Sequence, residues 1–239
     1  MRGGSVFLRR RPVFWGLASL VLVALAVSFA AADFLDEREL AAAPGQPTSP
    51  PDGAVSLKIN IAKRTLEVLS DGRLYKTYRV AVGKSRTPTP FGEWKVVWKD
   101  YNWGTGFGTR WMGLNVPWGT FGIHGTNKPW LVGGFASHGC IRMRNRDVEE
   151  LFEWVPIGTT VAIEGGRTRL NRVLRYQSVG PDVVVVQLKL KELGYLADRA
   201  DGIYGLRTEE AVRRLQTDHN LEATGVAGPE VLASLGLRQ

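Results

Sequence analysis

The most informative part of the chain is His124-Gly125-Thr126 followed, after a short spacer, by Ser137-His138-Gly139-Cys140-Ile141-Arg142-Met143-Arg144-Asn145. These residues include the only cysteine and two of the three histidines. A thiol attacks as thiolate, and it needs a nearby base or positive charge to ionise. His124 is too distant in sequence to share a helical turn with Cys140, but two strands or loops could bring the side chains together. The pattern indicates a cysteine nucleophile with a histidine base. The plain alternative is a small buried cysteine and a core histidine.

Together the two stretches resemble the signature of the L,D-transpeptidase catalytic domain of the YkuD type. That signature is a histidine, a spacer, and then S/T-H-G-C followed by a small apolar residue and Arg or Asn. Every fixed position is matched here. The resemblance implies that residues 55–164 form a mainly β catalytic domain, a sandwich or partial barrel with one helix. It also implies that the substrate is the stem peptide of peptidoglycan.

The resemblance and the side-chain chemistry assign roles to individual residues. Cys140 is the expected nucleophile, and His124 is its general base and later the acid that protonates the leaving amine. The carbonyl of Gly125 is expected to orient the histidine. The backbone N–H groups of His138 and Gly139, with that of Cys140, are expected to form an oxyanion hole. The guanidinium of Arg142 is expected to bind a substrate carboxylate. The alternatives are a purely structural His138 and a surface salt bridge for Arg142.

In the implied reaction the thiol attacks the carbonyl of the third stem residue, releases the terminal D-alanine and holds an acyl-enzyme. An amine of another stem then completes a 3→3 cross-link, whereas water as acceptor would make the protein an L,D-carboxypeptidase. The thioester carries the energy, so we expect no cofactor, nucleotide or metal. A zinc site of His124, His138 and Cys140 lacks a fourth ligand pattern. Two further alternatives are a non-catalytic wall-binding protein and a cysteine protease that acts on proteins.

Charge and hydropathy limit the kinds of partner and the cellular location that can be expected. The 239-residue chain carries a formal charge of +8, which suits an anionic partner such as an acidic wall polymer. No motif for nucleic-acid binding stands out, so nucleic acid is not an expected partner. Residues 1–32 combine an arginine-rich start with an uncharged run from Val13 to Ala32. They predict a membrane-spanning anchor, or else a signal peptide cleaved after Ala30-Ala31-Ala32. Either way the rest is extracytoplasmic, membrane-anchored or secreted to the bacterial cell wall.

Residues 33–54 are predicted to be a proline-rich linker. After it, alternation of apolar and polar residues predicts strands at 55–61, 65–69, 74–82, 93–98, 121–125 and 160–163. A helix is predicted at 147–154, with Asp147 or Asn145 as its cap. The tryptophans between positions 94 and 130 are mostly expected in the core. Trp103 and Trp111 lie among glycines and are the better candidates for exposure, as sugar-stacking platforms or as a lid.

Residues 165–180 are predicted to be a second linker and residues 181–239 a three-helix domain. Helical periodicity begins at Asp182, with Val186, Leu190 and Leu193 on one face; Thr208 is the expected cap of the second helix, and Pro229 starts the third. This segment resembles the peptidoglycan-binding domain, although the first Leu-Gln of that pattern is read here as an inverted Gln187-Leu188. The resemblance implies that the glycan and stem peptides of peptidoglycan are the partners of this domain.

Overall fold

The structure is a computed structural model that describes residues 48–237. The predicted membrane segment at residues 1–32 and most of the first linker lie outside these residues. Within the described part of the chain, no helix is long and apolar enough to cross a bilayer.

The first part of the structure is mainly β. Its strands are β1 (Val55–Asn60), β2 (Thr65–Ser70), β3 (Arg73–Arg79), β4 (Val82–Gly83), β5 (Gly92–Asp100), β6 (Trp111–Leu114), β7 (Phe121–His124), β8 (Phe135–Ser137), β9 (Ile141–Arg142) and β10 (Thr160–Glu164). A 3-10 turn covers Pro129–Leu131, and helix α1 covers Asn145–Trp154. The predicted strands at 55–61, 65–69, 93–98, 121–125 and 160–163 are confirmed to within two residues.

Eight strands form one sheet in the order β3-β2-β1-β10-β5-β6-β7-β9, and β4 pairs separately with β8. Most neighbours are antiparallel, but β1 runs parallel to β10 and β7 runs parallel to β9. One continuous sheet fits the expected partial barrel rather than two stacked sheets. The prediction of a mainly β unit followed by helices is confirmed.

Alternation along β6, β7 and β9 separates the core from a second face. Met112, Ile123 and Ile141 are completely buried in the hydrophobic core. The residues next to each of them along its strand point to the opposite face, because successive side chains of a strand alternate. The register places Trp111 beside His124, and His124 beside Arg142. This second face carries the residues that sequence analysis assigned to the site.

Helix α1 packs its apolar residues inward: Val148, Leu151, Phe152 and Trp154. The predicted cap is wrong, because the N-cap position is Arg144 and no side chain of the described residues makes a cap hydrogen bond there. Asn145 Oδ1 accepts a hydrogen bond from the Thr126 backbone N–H instead, at 3.0 Å. The side-chain oxygen that could have capped the helix is therefore bonded to the backbone of a residue distant in sequence.

The expected exposure of the tryptophans is half correct. Trp103 is 41% exposed, but Trp111 is 1% exposed. Trp111 is in strand β6 and not in a loop, and the rings of Trp98 and Trp103 pack on it at centroid distances of 5.6 and 5.5 Å.

The second part of the structure contains α2 (Pro181–Glu192), α3 (Leu206–Asp218) and α4 (Pro229–Ser234). Val186 and Leu190 lie in its core as predicted, whereas Leu193 is 49% exposed because it follows the end of α2. Thr208 does not cap α3, whose N-cap is Gly205. Thr208 Oγ1 accepts instead from Gln187 Nε2 at 3.2 Å.

Two glutamines of this part hold its loops in the same way. Gln187 Oε1 accepts the Gly202 N–H at 2.8 Å, and Gln216 Oε1 accepts the Gly225 N–H at 2.8 Å. Both glycines have positive φ, 70° and 75°. Since Gln187 follows Val186 and matches Gln216 in this role, the inversion read from the sequence is wrong.

The helical part docks on strand β5. Glu93 accepts hydrogen bonds from Lys191 Nζ at 2.6 Å and from the Ala200 N–H at 3.0 Å, and its own N–H donates to the Ala200 carbonyl at 3.0 Å. Val184 and Ala200 are completely buried in the core of the β part. The two parts therefore share a packed interface in addition to the connecting chain.

Candidate active site

Cys140 and His124 meet through the parallel pair β7 and β9. Cys140 directly precedes β9, in which Ile141 is paired with Ile123 and Arg142 with His124. By this register Cys140 falls beside Gly122, and a hydrogen bond from the Gly122 backbone reaches the thiol. Since Cys140 lies two residues before Arg142, the partner of His124, this register puts the thiol on the same face as the imidazole.

The turn before the cysteine is braced by Ser137, which is completely buried. Its Oγ donates to the Cys140 carbonyl at 2.5 Å and accepts the Gly139 N–H at 3.0 Å. Gly139 has φ 118°, and a Cβ there would lie 2.5 Å from Cε1 of Phe121. Only glycine fits this turn without strain.

This brace changes the set of oxyanion donors. The Gly139 N–H is already engaged by Ser137. The N–H groups of His138 and Cys140 have no protein acceptor within residues 48–237. Those two N–H groups are the open donors at the turn. The imidazole of His138, in contrast, belongs to an exposed residue.

His124 is 1% exposed, and its Nδ1 lies 2.6 Å from the Gly125 carbonyl oxygen. A carbonyl only accepts, so Nδ1 carries the proton and Nε2 presents its lone pair. Nε2 is buried and has no hydrogen-bond partner in the described part of the chain. The pKa of His124 is lowered to about 4, mainly by burial and also by the charge of Arg142, against the opposing effect of the Gly125 and Phe107 carbonyls. The imidazole is neutral at pH 7.

Cys140 is half-buried. Burial raises the pKa of its thiol, and the Gly122 backbone and the Arg142 charge oppose that rise. The free protein thus holds a thiol beside a neutral imidazole. Among residues 48–237 no hydrogen bond joins the sulfur to His124, which is common in active sites without substrate.

Arg142 is held by its backbone, which exchanges hydrogen bonds with Ala81 at 2.8 and 2.9 Å. Its Nε is buried and unpartnered, and its guanidinium forms no ion pair with any described carboxylate. Within residues 48–237 Arg142 therefore has no salt bridge of the kind that the alternative supposed. Its charge acts on both Cys140 and His124.

Sequence analysis missed the residues that support the site. Asn145 Oδ1 holds the Thr126 N–H, and a Cβ at Gly108 or Gly125 would lie 2.2 or 2.3 Å from that oxygen. The backbones at Gly108 and Gly125 are thus in close contact. Asn145 was visible in the sequence only as a possible cap. His124, His138 and Cys140 do not form a cluster able to hold a metal ion, and neither do any other described residues.

Comparison with known proteins identifies the family. Residues 54–163 match the family model described as the L,D-transpeptidase catalytic domain, and residues 179–235 match a putative peptidoglycan binding domain. The putative L,D-transpeptidase YqjB of Bacillus subtilis is 40% identical over 121 residues, which are 43% of this chain and 68% of that protein. The chain belongs to the L,D-transpeptidase family, and it joins a YkuD-type catalytic domain to a peptidoglycan-binding domain.

The chain is also similar to a second curated relative and to a solved structure. The putative L,D-transpeptidase YkuD of Bacillus licheniformis is 47% identical over 107 residues, 45% of this chain and 64% of that relative. The chain thus spans less than two thirds of the length of this relative. A solved L,D-transpeptidase from Mycobacterium smegmatis aligns with a TM-score of 0.41 and 20% identity, over 46% of this chain and 58% of that one.

Proposed function

We propose that the protein is a peptidoglycan L,D-transpeptidase, a cysteine acyltransferase that forms 3→3 cross-links between stem peptides. The observation that carries the proposal is the state of His124, which pairs with Arg142 two residues after Cys140. Its Nδ1 donates to the Gly125 carbonyl, and its buried Nε2 has no hydrogen-bond partner among residues 48–237. Family membership and the adjoining peptidoglycan-binding match support the choice of substrate.

In the proposed acylation, His124 Nε2 takes the thiol proton as the sulfur of Cys140 attacks the carbonyl carbon of the third stem residue. The N–H groups of His138 and Cys140 face the developing oxyanion. The imidazolium then gives its proton to the departing amine, the C–N bond breaks, and D-alanine leaves. A thioester remains on Cys140.

In the proposed second step, the amine of another stem attacks the thioester. His124 takes a proton from that amine, the C–S bond breaks, and the proton returns to the sulfur. The bond formed is an amide, and the enzyme is regenerated without a cofactor.

Arg142 has two parts in this proposal. Its charge favours the thiolate as the proton leaves, which matters because burial alone raises the pKa of the Cys140 thiol. Its guanidinium, which forms no ion pair with a carboxylate of residues 48–237, is also the group proposed to bind a substrate carboxylate.

The proposal also covers organisation and location. Residues 55–164 are the catalytic domain, residues 165–180 the connection and residues 181–239 a module that binds the wall polymer. Residues 1–32 are a signal-anchor or signal peptide that brings the rest to the extracytoplasmic side. Water as acceptor, giving an L,D-carboxypeptidase, and a non-catalytic wall-binding protein are the competing functions.

The test incubates the purified full chain with a disaccharide-tetrapeptide and follows products by mass spectrometry, with Cys140→Ala as the control. A dimer that has lost one D-alanine, absent with the variant, supports transpeptidation. A tripeptide alone assigns the carboxypeptidase function. No product and no adduct on Cys140 would leave a wall-binding protein.

A further inference from the structure

Aromatic rings enclose the imidazole of His124. Trp111, its neighbour across β6 and β7, stacks on it with a centroid distance of 5.4 Å and an interplanar angle of 21°. Phe107 meets it edge-on at 5.0 Å and 72°. Trp103 stacks on Trp111 in turn, at 5.5 Å and 26°. A three-ring stack thus runs from the half-exposed Trp103 inward to the histidine.

The backbone around this stack leaves room for Trp111 in particular. A Cβ at Gly122 would lie 2.7 Å from Cζ2 of Trp111, so the indole covers that glycine. On the neighbouring strand a Cβ at Gly113 would lie 1.9 Å from Nε1 of Trp98. Two glycines on the site face therefore admit two large rings.

Trp111 also has a feature that packing alone does not explain. Its Nε1 is buried and has no acceptor in the described part of the chain. Leaving a buried N–H unpaired costs on the order of 1–3 kcal/mol. A phenylalanine would avoid that cost but would cover less of the imidazole. His124 Nε2, which is also buried and without a partner among these described residues, belongs to the ring on which Trp111 stacks.

We propose that Trp111 is a positioning residue that acts through His124, by fixing the plane of the imidazole and excluding water from Nε2. The inference rests on the proposed role of His124 as general base. The hydrogen bond to Gly125 fixes one nitrogen, but a ring held at one atom can still tilt. The parallel indole removes that freedom and keeps the imidazole in an apolar environment, which favours its neutral form.

The test uses the full chain with Trp111→Leu and the conservative Trp111→Phe. Trp94→Leu is the matched control, because Trp94 is also completely buried but packs on Trp118 in the core. NMR titration of isotopically labelled histidine reads the pKa of His124. We expect it to move from about 4 towards 6.5 in Trp111→Leu, less in Trp111→Phe, and not in Trp94→Leu.

Acylation of Cys140 by a carbapenem gives the kinetic readout. A base with a pKa of 6.5 is roughly one-tenth neutral at pH 5.5, so a complete shift to that value should lower the Trp111→Leu rate about tenfold between pH 8 and pH 5.5, and a partial shift should lower it less. The wild-type rate should stay nearly constant over this range. Should Trp111→Leu not fold, Trp103→Leu removes only the half-exposed outer ring and should show a smaller shift in the same direction.

An unchanged His124 titration in the Trp111 variants, or an equal shift in Trp94→Leu, would overturn the inference. Failure of the proposed function is a different result: wild-type Cys140 would not be acylated at any pH, while the titration difference between the variants would persist.

Discussion

Acidification should destabilise the protein through His124. The residue is 1% exposed, and its pKa is about 4 in the folded protein against 6.5 for an ordinary histidine. Because the unfolded chain binds this proton more tightly, the stability is fully present above pH 6.5 and is lost as the pH falls towards 4. The loss from His124 is about 2 kcal/mol between pH 7.5 and pH 5, and about 3 kcal/mol once the pH is below 4.

Urea denaturation of wild type and His124→Gln at pH 7.5 and pH 5 measures this contribution. The wild-type free energy of unfolding should fall by about 2 kcal/mol more than that of the variant. His138→Gln changes an exposed histidine and should keep the whole wild-type loss. Equal losses in wild type and His124→Gln would refute the reasoning, since they would mean that the imidazole is not held neutral by burial.

Three further changes test the supports of the site and the docked module. Ser137→Ala removes the brace of the cysteine turn and should slow carbapenem acylation about tenfold or more, whereas Ser137→Thr keeps the hydroxyl and most of the rate in a stopped-flow assay. Asn145→Ala leaves the Thr126 N–H unpaired and should cost about 1–3 kcal/mol in urea denaturation; Asn145→Asp keeps an acceptor and should cost less. Glu93→Ala removes the side-chain hydrogen bonds to Lys191 Nζ and the Ala200 N–H but keeps the backbone bond to the Ala200 carbonyl; calorimetry should then resolve a separate, earlier transition for the helical part, while an unsplit transition would contradict the importance of the Glu93 carboxylate.

Local pattern predicted most elements of the fold because burial on one face imposes a period of two on strands and about 3.6 on helices. It was wrong for Trp111, where neighbouring glycines were taken as a sign of a loop. In the structure Gly113 lies in the same strand and gives space to Trp98. A glycine that admits a ring from another strand has the same sequence pattern as a glycine in a turn.

The failed caps have a common physical cause. Asn145 and Thr208 are good cap residues by local rules, but each bonds a group from elsewhere in the chain, the Thr126 N–H and the Gln187 side chain. Local sequence states which hydrogen bonds a side chain can make. It does not state which group from a distant part of the chain lies within hydrogen-bond distance of that side chain in the folded protein.

The residues around Cys140 and His124 suggested a nucleophile and its base, and the resemblance to the family signature favoured that prediction over a buried cysteine and a core histidine. The protonation of the pair could not be predicted in the same way. It depends on burial and on the charge of Arg142. Burial raises the pKa of the thiol more than the Arg142 charge lowers it, whereas both lower the pKa of the imidazole. The tautomer of His124 is set by the Gly125 carbonyl, which accepts from Nδ1. The Gly139 N–H is not free because it donates to Ser137 Oγ.

Strand β5 connects the two parts of the molecule to the site. Near its start Glu93 carries the contact to the helical part, and further along Trp98 packs on Trp111, the ring that covers His124. Five residues of strand span roughly 17 Å. Under the proposed function, a wall-bound module would therefore hold the active site at a set distance and orientation, and so would select which stems can reach Cys140. Separate melting of the two parts in the wild-type protein would count against this, because it would mean that their contact contributes little to the stability of either part.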